Sequence, residues 1–455
     1  MKIGFLPLYV KLYDDTSPNC RPRLNEFYEK VAVMFEQKGV EVVRSPFCRL
    51  ANEFDETVKL FEKENVDAIV TLHMAYSPSL ECIDALSGTK LPIVVLDTTE
   101  TYEFDNPSEV MYNHGIHGVM DMCAMLTRRG KPYAIAAGHY SESDVMDRAL
   151  GLVRAAISAK ALSSAKVARV GGPFAGMGDF VVPYKEMKKR FGIEAYDMPA
   201  NKLGAYVDSI TDEEIKADIA ADKENFDFDE GVKDEEYYEA ARTNLAIRKC
   251  IEKEGLTAFT VTFNGLGKEK SGINLMPFIE TCKAMSRGTG YAGEGDTLTA
   301  AFTGAFLQGY PKTSFVEIFC PDWKNDLIFL SHMGEMNYAS ADTKPYVKRL
   351  GTDYVKGIFP FAGYVKMAAG KGVYVNINKG KDDYKLVISE NEIINPTEDN
   401  FQGRMRGWMK VDSTAEFLKL HSVYGATHHS IFVFDATAEE IEYFAKLVGL
   451  ETVRI

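Results

Sequence analysis

Four stretches of this chain place a carboxylate or an imidazole among residues that keep such groups out of bulk water. Glu294 lies in Gly290-Tyr291-Ala292-Gly293-Glu294-Gly295-Asp296-Thr297, two carboxylates among three glycines just ahead of a predicted helix over 298–306. Glycines permit close backbone approach and unusual φ/ψ, so a glutamate held there can face a cavity; the plainer alternative is Asp296 as the N-cap of an ordinary helix. Glu317 interrupts the apolar strand 314–319, where alternation puts Phe315, Glu317 and Phe319 on one face. A carboxylate between aromatic rings is costly to bury unless it is paired or metal-bound. His332 ends the next apolar run, so two strand ends can offer Glu317 and His332 to one pocket; a salt bridge or a core histidine is the alternative. His428 and His429 precede the strand 430–434. Neighbours on a strand point to opposite faces, so one enters a site while the other supports it, unless both are simply half-exposed.

Two glutamates and two imidazoles suit Mn²⁺, Fe²⁺, Co²⁺ or Zn²⁺, whereas all-oxygen cages suit Mg²⁺ or Ca²⁺. Only Cys320 lies nearby, and a thiolate ligand would have favoured zinc. The glycine-rich segment Gly171–Asp179 follows a strand, yet it matches neither the dinucleotide nor the P-loop spacing. No acidic residue stands at the ribose position, so NAD is not expected. There is no Gly-x-Ser-x-Gly elbow and no Cys/His nucleophile pair.

The elements that must position these residues emerge from periodicity. Strand patterns at 2–10, 40–46, 67–72, 91–96 and 133–137 alternate with helices at 21–38, 54–65 and 143–164, the signature of a parallel, doubly wound sheet. Leu24, Phe27, Val31 and Phe35 form one stripe of the first helix. The pattern restarts at 166–170 and continues with helices at 235–253 and 275–285. Between them an acidic stretch, 211–233, reads as a solvated helix and loop. Beyond about residue 310 strands at 314–319, 326–330, 372–378 and 383–389, separated by Gly, Asn, Asp and Lys turns, predict a mostly antiparallel barrel or sandwich. The chain closes with strand 430–434 and a helix over 438–448, which Thr437 can cap.

The 455 residues suffice for several full cores, and a 46% hydrophobic content is that of a globular protein. The formal charge of −14 repels phosphate backbones and anionic lipid, which argues against nucleic acid or a membrane surface as partner. The apolar start, interrupted by Pro7 and succeeded by Lys11 and Asp14-Asp15, reads as a first strand rather than a signal peptide. Seven cysteines, odd in number and never spaced Cys-x-x-Cys, form neither a disulfide framework nor a zinc knuckle and point to the cytoplasm.

These motifs resemble the L-arabinose isomerase / L-fucose isomerase superfamily, closer to the arabinose isomerase side. The match lies in Gly290–Asp296, Thr313–Glu317, Ser331–Glu335 and Gly425–His429, in the family's order, and more weakly in Leu72–Pro78, Asn113–Gly118 and Ala137–His139. The resemblance implies two Rossmann-like doubly wound domains, 1–164 and 165–310, followed by a mostly antiparallel β-barrel-like domain, 311–455. It implies an aldose–ketose isomerase with Mn²⁺ (or Co²⁺, Fe²⁺), Glu294, Glu317, His332 and His429 as metal ligands, and Glu294 and Glu317 as the acid/base pair. Substrate would be contacted by His428, His114, Tyr13 and His117, the last reaching a subunit-interface site from the neighbouring protomer of a homotrimer or homohexamer. This sequence departs from the pattern at Ile318, where arabinose isomerases carry Asp, and at His114, where they carry Gln. It departs again in the segment Pro7–Tyr13, which replaces the family's sugar-contact motif.

The expected chemistry is therefore proton transfer between C1 and C2 of an open-chain pentose or a deoxy or modified hexose, through a cis-enediol. Two alternatives stay open at this level: a sugar lyase or epimerase using the same enediolate, and a non-catalytic sugar-binding protein.

Overall fold

The computed structural model describes residues 1–350 and 361–455. Their contacts define two compact units, 1–157 and 158–455. In the first, strands β1 (Lys2–Leu8), β2 (Glu41–Arg44), β3 (Ala68–His73), β4 (Ile93–Asp97) and β5 (Tyr133–Ala137) form an all-parallel sheet in the order β2-β1-β3-β4-β5. The order reverses between β1 and β3, the switch of a doubly wound sheet. β3 is buried along its whole length, which is why its sequence, Ala-Ile-Val-Thr-Leu-His, runs apolar instead of alternating. The helix Arg21–Gln37 buries Leu24, Phe27, Val31 and Phe35, as their spacing requires.

His73 ends β3 fully buried, with neither ring nitrogen partnered, and burial pushes its pKa down to about 3. An unfolded histidine titrates near 6.5. Because the folded value is the lower one, the unfolded chain takes up the proton first as pH falls. The neutral-pH stability therefore holds above about 6.5 and is lost progressively towards 3, by about 2 kcal/mol between pH 7 and pH 5. Thermal unfolding at the two pH values measures the loss, and a His73→Leu protein should show a correspondingly flatter pH dependence.

The second unit opens with β6 (Lys166–Val170) and β7 (Glu194–Asp197), then the short β8 (Asp227–Phe228), β9 (Ala258–Val261) and β10 (Gly290–Gly293). A parallel sheet runs β10-β9-β6-β7. The acidic stretch is not simply solvated. Thr211 and Glu214 form a capping box on the helix Asp212–Asn225, which buries Ile215 and Ile219 together with Asp218 and Asp222. The two aspartates are buried because Arg248 and Lys283 meet them, at 2.9 Å for Arg248–Asp218. Charge composition alone cannot reveal such pairing across helices.

The remaining strands are β11 (Ser314–Asp322), β12 (Leu327–Ser331), β13 (Tyr346–Arg349), β14 (Phe361–Tyr364), β15 (Gly370–Lys379), β16 (Tyr384–Ile394), β17 (Gly407–Lys410), β18 (His429–Phe434) and β19 (Glu451–Arg454). β13 and β14 join β8 in a small sheet. The others form a seven-stranded sheet, antiparallel except where β19 pairs β16. Six of them pair in a cycle, β15-β18-β11-β12-β17-β16, with β16 returning to β15. Thr437 caps the helix Ala438–Leu447 through the Glu440 amide. Among the described residues no helix is long and apolar enough to cross a membrane.

Candidate metal centre

The second unit brings five of the expected residues into one place. β11 lies between β18 and β12, and Glu317 sits opposite His429 on one side and Ser331 on the other. His332 comes directly after Ser331, so the antiparallel register sets Glu317 beside both imidazoles. Glu294 comes directly after the last residue of β10 with φ +61, a left-handed backbone that a non-glycine residue seldom adopts. Its carbonyl accepts the Phe174 amide at 2.9 Å, which holds that turn.

Each imidazole is fixed from behind by a carboxylate. His332 Nδ1 lies 2.7 Å from Glu335, His429 Nδ1 3.1 Å from Asp296, and His428 Nδ1 2.7 Å from Asp179. A carboxylate only accepts, so each Nδ1 carries the proton and each Nε2 is left to face forward. The forward distances are 3.8 Å from His332 Nε2 to Glu317, and 3.6 and 3.9 Å from His428 and His429 Nε2 to Glu294. These exceed a hydrogen bond. His428 and His429 Nε2 are buried without any hydrogen-bond partner, and Glu294, His428 and His429 each bring one donor atom within 4.8 Å of the other two. The Phe315 ring lies 5.0 Å from His332 and 5.1 Å from His429, and the two imidazoles are 5.9 Å apart. Orphaned nitrogens aimed at carboxylates across a gap, with their far nitrogens tied down, are what a divalent cation with mixed O/N ligands requires. The residues fit the group.

Charges inside this pocket favour ionised forms. Burial pushes the Glu294 pKa up, but His428, His332 and His429 outweigh it and hold it below the usual carboxylate range. Burial opposes a proton on His332, yet Glu335, Glu317 and Glu294 lift its pKa to about 9. His428 is likewise pulled down by burial and raised to about 10 by Asp179 and Glu294.

Two sequence expectations change. A bulge between Ile318 and Cys320 breaks the alternation of β11, so Phe315 is buried at the site while Phe319 is 45% exposed. A bulge inserts an unpaired residue and re-aims the side chains beyond it. The two adjacent histidines do not face opposite ways, because His428 precedes the strand that starts at His429; their rings are 4.2 Å apart and both Nε2 atoms face Glu294. Asp296 fulfils both readings of its motif, one oxygen capping the helix Thr297–Gly309 at Thr299 and the other holding His429. Glu335 and Asp179 were not assigned from the sequence. Glu335 carries a faint signal, three residues after a histidine in an apolar run, whereas Asp179 gives none.

The other expected contacts lie in the first unit. Tyr13 is on the helix Lys11–Thr16 after β1. His114 stands just past the helix Val110–Asn113, and His117 in the helix Ile116–Arg128, with the two rings 4.3 Å apart.

Comparison with known proteins identifies the family of the chain. The model of the L-arabinose isomerase central domain matches residues 178–308, and that of the L-arabinose isomerase C-terminal domain matches 312–451. Together these spans take in β9, β10, Glu294, Glu317, His332, His428 and His429, and the carboxylates Asp179, Asp296 and Glu335. An L-arabinose isomerase of Aeromonas salmonicida is 26% identical over 90% of this chain and 83% of its own length. L-arabinose isomerase 1 of Clostridium acetobutylicum is 25% identical over 90% and 87%. The L-arabinose isomerase of Bacteroides thetaiotaomicron is 25% identical over 92% and 87%. With both domain models and near full-length relatives in agreement, the chain belongs to the L-arabinose isomerase family of aldose–ketose isomerases, which are intramolecular oxidoreductases.

Proposed function

We propose that this protein is a divalent-metal-dependent isomerase converting an aldose, a pentose or a deoxy or modified hexose, into its ketose through a cis-enediol. Glu294, Glu317, His332 and His429 would hold the cation, Mn²⁺ in preference and Co²⁺ or Fe²⁺ as substitutes. When bound, the cation supplies Lewis acidity to neighbouring substrate oxygens and so acidifies the C2 proton. Glu294, which the charge of a bound cation would keep ionised, and Glu317 form the acid/base pair. One of them takes the proton from C2 and returns it at C1, while the hydroxyl proton on O2 passes to O1, so that the C1 carbonyl becomes a hydroxyl and C2 becomes the carbonyl. Phe315 and Phe180 line the imidazoles with apolar surface that keeps water from competing for it. His428, which sits beside the ligand set, contacts the sugar.

The observation that carries this reading is the set of three carboxylate-anchored imidazoles, their Nε2 atoms directed at two glutamates across gaps of 3.6 to 3.9 Å. L-arabinose is the first sugar to try, since the relatives are named for it. The departures at Ile318, His114 and Pro7–Tyr13 favour a different pentose or hexose. We also read the six-strand cycle as a closed barrel, and the assembly as a homotrimer or homohexamer in which His117, His114 and Tyr13 reach a neighbouring subunit's site. Leu12, Tyr102 and Phe104, exposed by 58%, 68% and 62% on segments leaving the first sheet, support such an interface. Seven free cysteines support a cytoplasmic setting.

The test is a panel of L-arabinose, D-galactose, L-fucose, D-arabinose, D-ribose and 6-sulfo sugars, incubated with metal-stripped protein with and without Mn²⁺ and scored by NMR. Ketose should form from at least one sugar and only with the metal. Conversion that survives complete metal removal would overturn the metal assignment; a shorter aldehyde or an epimer without ketose would overturn the isomerase reading.

A further inference from the structure

The glycine-rich segment 171–180 fits no phosphate motif, and its place in the fold gives it another task. It runs from β6 past the turn that carries Glu294. The Phe174 amide donates to the Glu294 carbonyl at 2.9 Å, and the Thr262 hydroxyl donates to the Gly172 carbonyl. Gly295, at φ +90, lies so near that a Cβ would stand 2.5 Å from the Gly172 oxygen and 2.7 Å from Pro173 Cα. Glycine is required there by both backbone angle and space. At its far end the same segment meets the histidine pair. One Asp179 oxygen accepts from the His428 backbone amide at 3.1 Å and from His428 Nδ1 at 2.7 Å, while the Phe180 ring stacks on His429 at 5.0 Å and 25°.

We infer that Asp179 is a positioning residue: it fixes the His428 ring with Nε2 towards the substrate, and the segment 171–180 ties Glu294 and the histidine pair into one rigid group. The inference rests on the proposed isomerase reading, in which His428 contacts sugar and does not ligate the metal. The reason is geometric. A two-point bond to backbone and ring removes the rotation about χ1 and χ2 that an unsupported histidine ahead of a strand would keep. A substrate-contacting group misplaced by about 1 Å can cost about a hundredfold in activity.

Asp179→Ala and Asp179→Asn test it through kinetics, divalent-ion titration and crystal structures. In Asp179→Ala we expect kcat/KM about ten- to a hundredfold lower, with the dissociation constant for Mn²⁺ within about threefold of the parent and the His428 ring turned from Glu294. Asn keeps an oxygen that accepts from both His428 donors, so Asp179→Asn should recover most of the loss. Parent-like kinetics, or a His428 ring unmoved in Asp179→Ala, would overturn the inference. So would a tenfold loss of Mn²⁺ affinity, which would make His428 a ligand, or an Asn variant no better than Ala, which would make charge the operative property. Should the parent protein bind no metal and convert no sugar, the isomerase reading fails; the ring position in the Asp179→Ala crystal still decides the positioning role.

Discussion

Glu294→Gln should leave a folded protein whose turnover of its best sugar is about a thousandfold lower. Glutamine keeps the size of the side chain and its carbonyl oxygen but loses the charge and the ability to take a proton. Position 294 demands a left-handed backbone whatever the side chain, and the bond from the Phe174 amide to its carbonyl is unaffected, so the turn persists. Both proposed tasks of Glu294 are lost together: a ligand charge for the cation and half of the acid/base pair. Glu317→Gln should behave alike, because Glu317 stands between His429 and the end of β12 and faces His332 at 3.8 Å. Steady-state kinetics with saturating Mn²⁺, alongside thermal unfolding to show that the fold is kept, make the comparison. Activity within tenfold of the parent in either variant would remove that glutamate from the chemistry.

Gly293→Ala should be almost as damaging although it adds only a methyl group. A Cβ at 293 would lie 2.7 Å from His332 Cε1 and 3.0 Å from Nε2, and 3.5 Å from Phe315. The imidazole cannot move aside cheaply. Its Nδ1 is anchored by Glu335, which is itself 1% exposed and held by the Gly334 amide and the Tyr291 hydroxyl. Overpacking of this kind costs about 1–3 kcal/mol in stability. The larger effect is on turnover, about a hundredfold, since a displacement of about 1 Å of a reacting group is worth that much. A crystal structure should show His332 shifted from Glu317, and the Mn²⁺ dissociation constant should rise. An unshifted ring with full activity would mean that the strand backs away instead.

Most of the strands were legible because burial imposes a period that composition displays. The parallel strands of the first unit are apolar runs bounded by turns, and the stripe Leu24, Phe27, Val31 and Phe35 is helical by spacing alone. The proposed donor residues stand out in the sequence for a related reason: Glu294, Glu317 and His332 each sit among glycines or apolar residues, where a charged group is costly. Expectations failed where a local rule met a long-range constraint. Alternation along 314–319 is right up to Ile318 and then yields to the bulge. Opposed faces for His428 and His429 would hold on a continuous strand, but the strand begins one residue too late. Solvation of 211–233 is what its charge suggests until Arg248 and Lys283 arrive from other helices.

The sequence by itself determined which groups are available, two glutamates and paired imidazoles in apolar and glycine-rich settings, in motifs that resemble those of one isomerase family. Only the tertiary structure decided how those groups act together. The register of β11 against β12 and β18 sets Glu317 beside both imidazoles, and Glu335, Asp296 and Asp179 turn three rings the same way. The physical reason is that a side chain's type is fixed by local burial and backbone, whereas its direction is fixed by hydrogen bonds to partners that only the folded chain brings within reach.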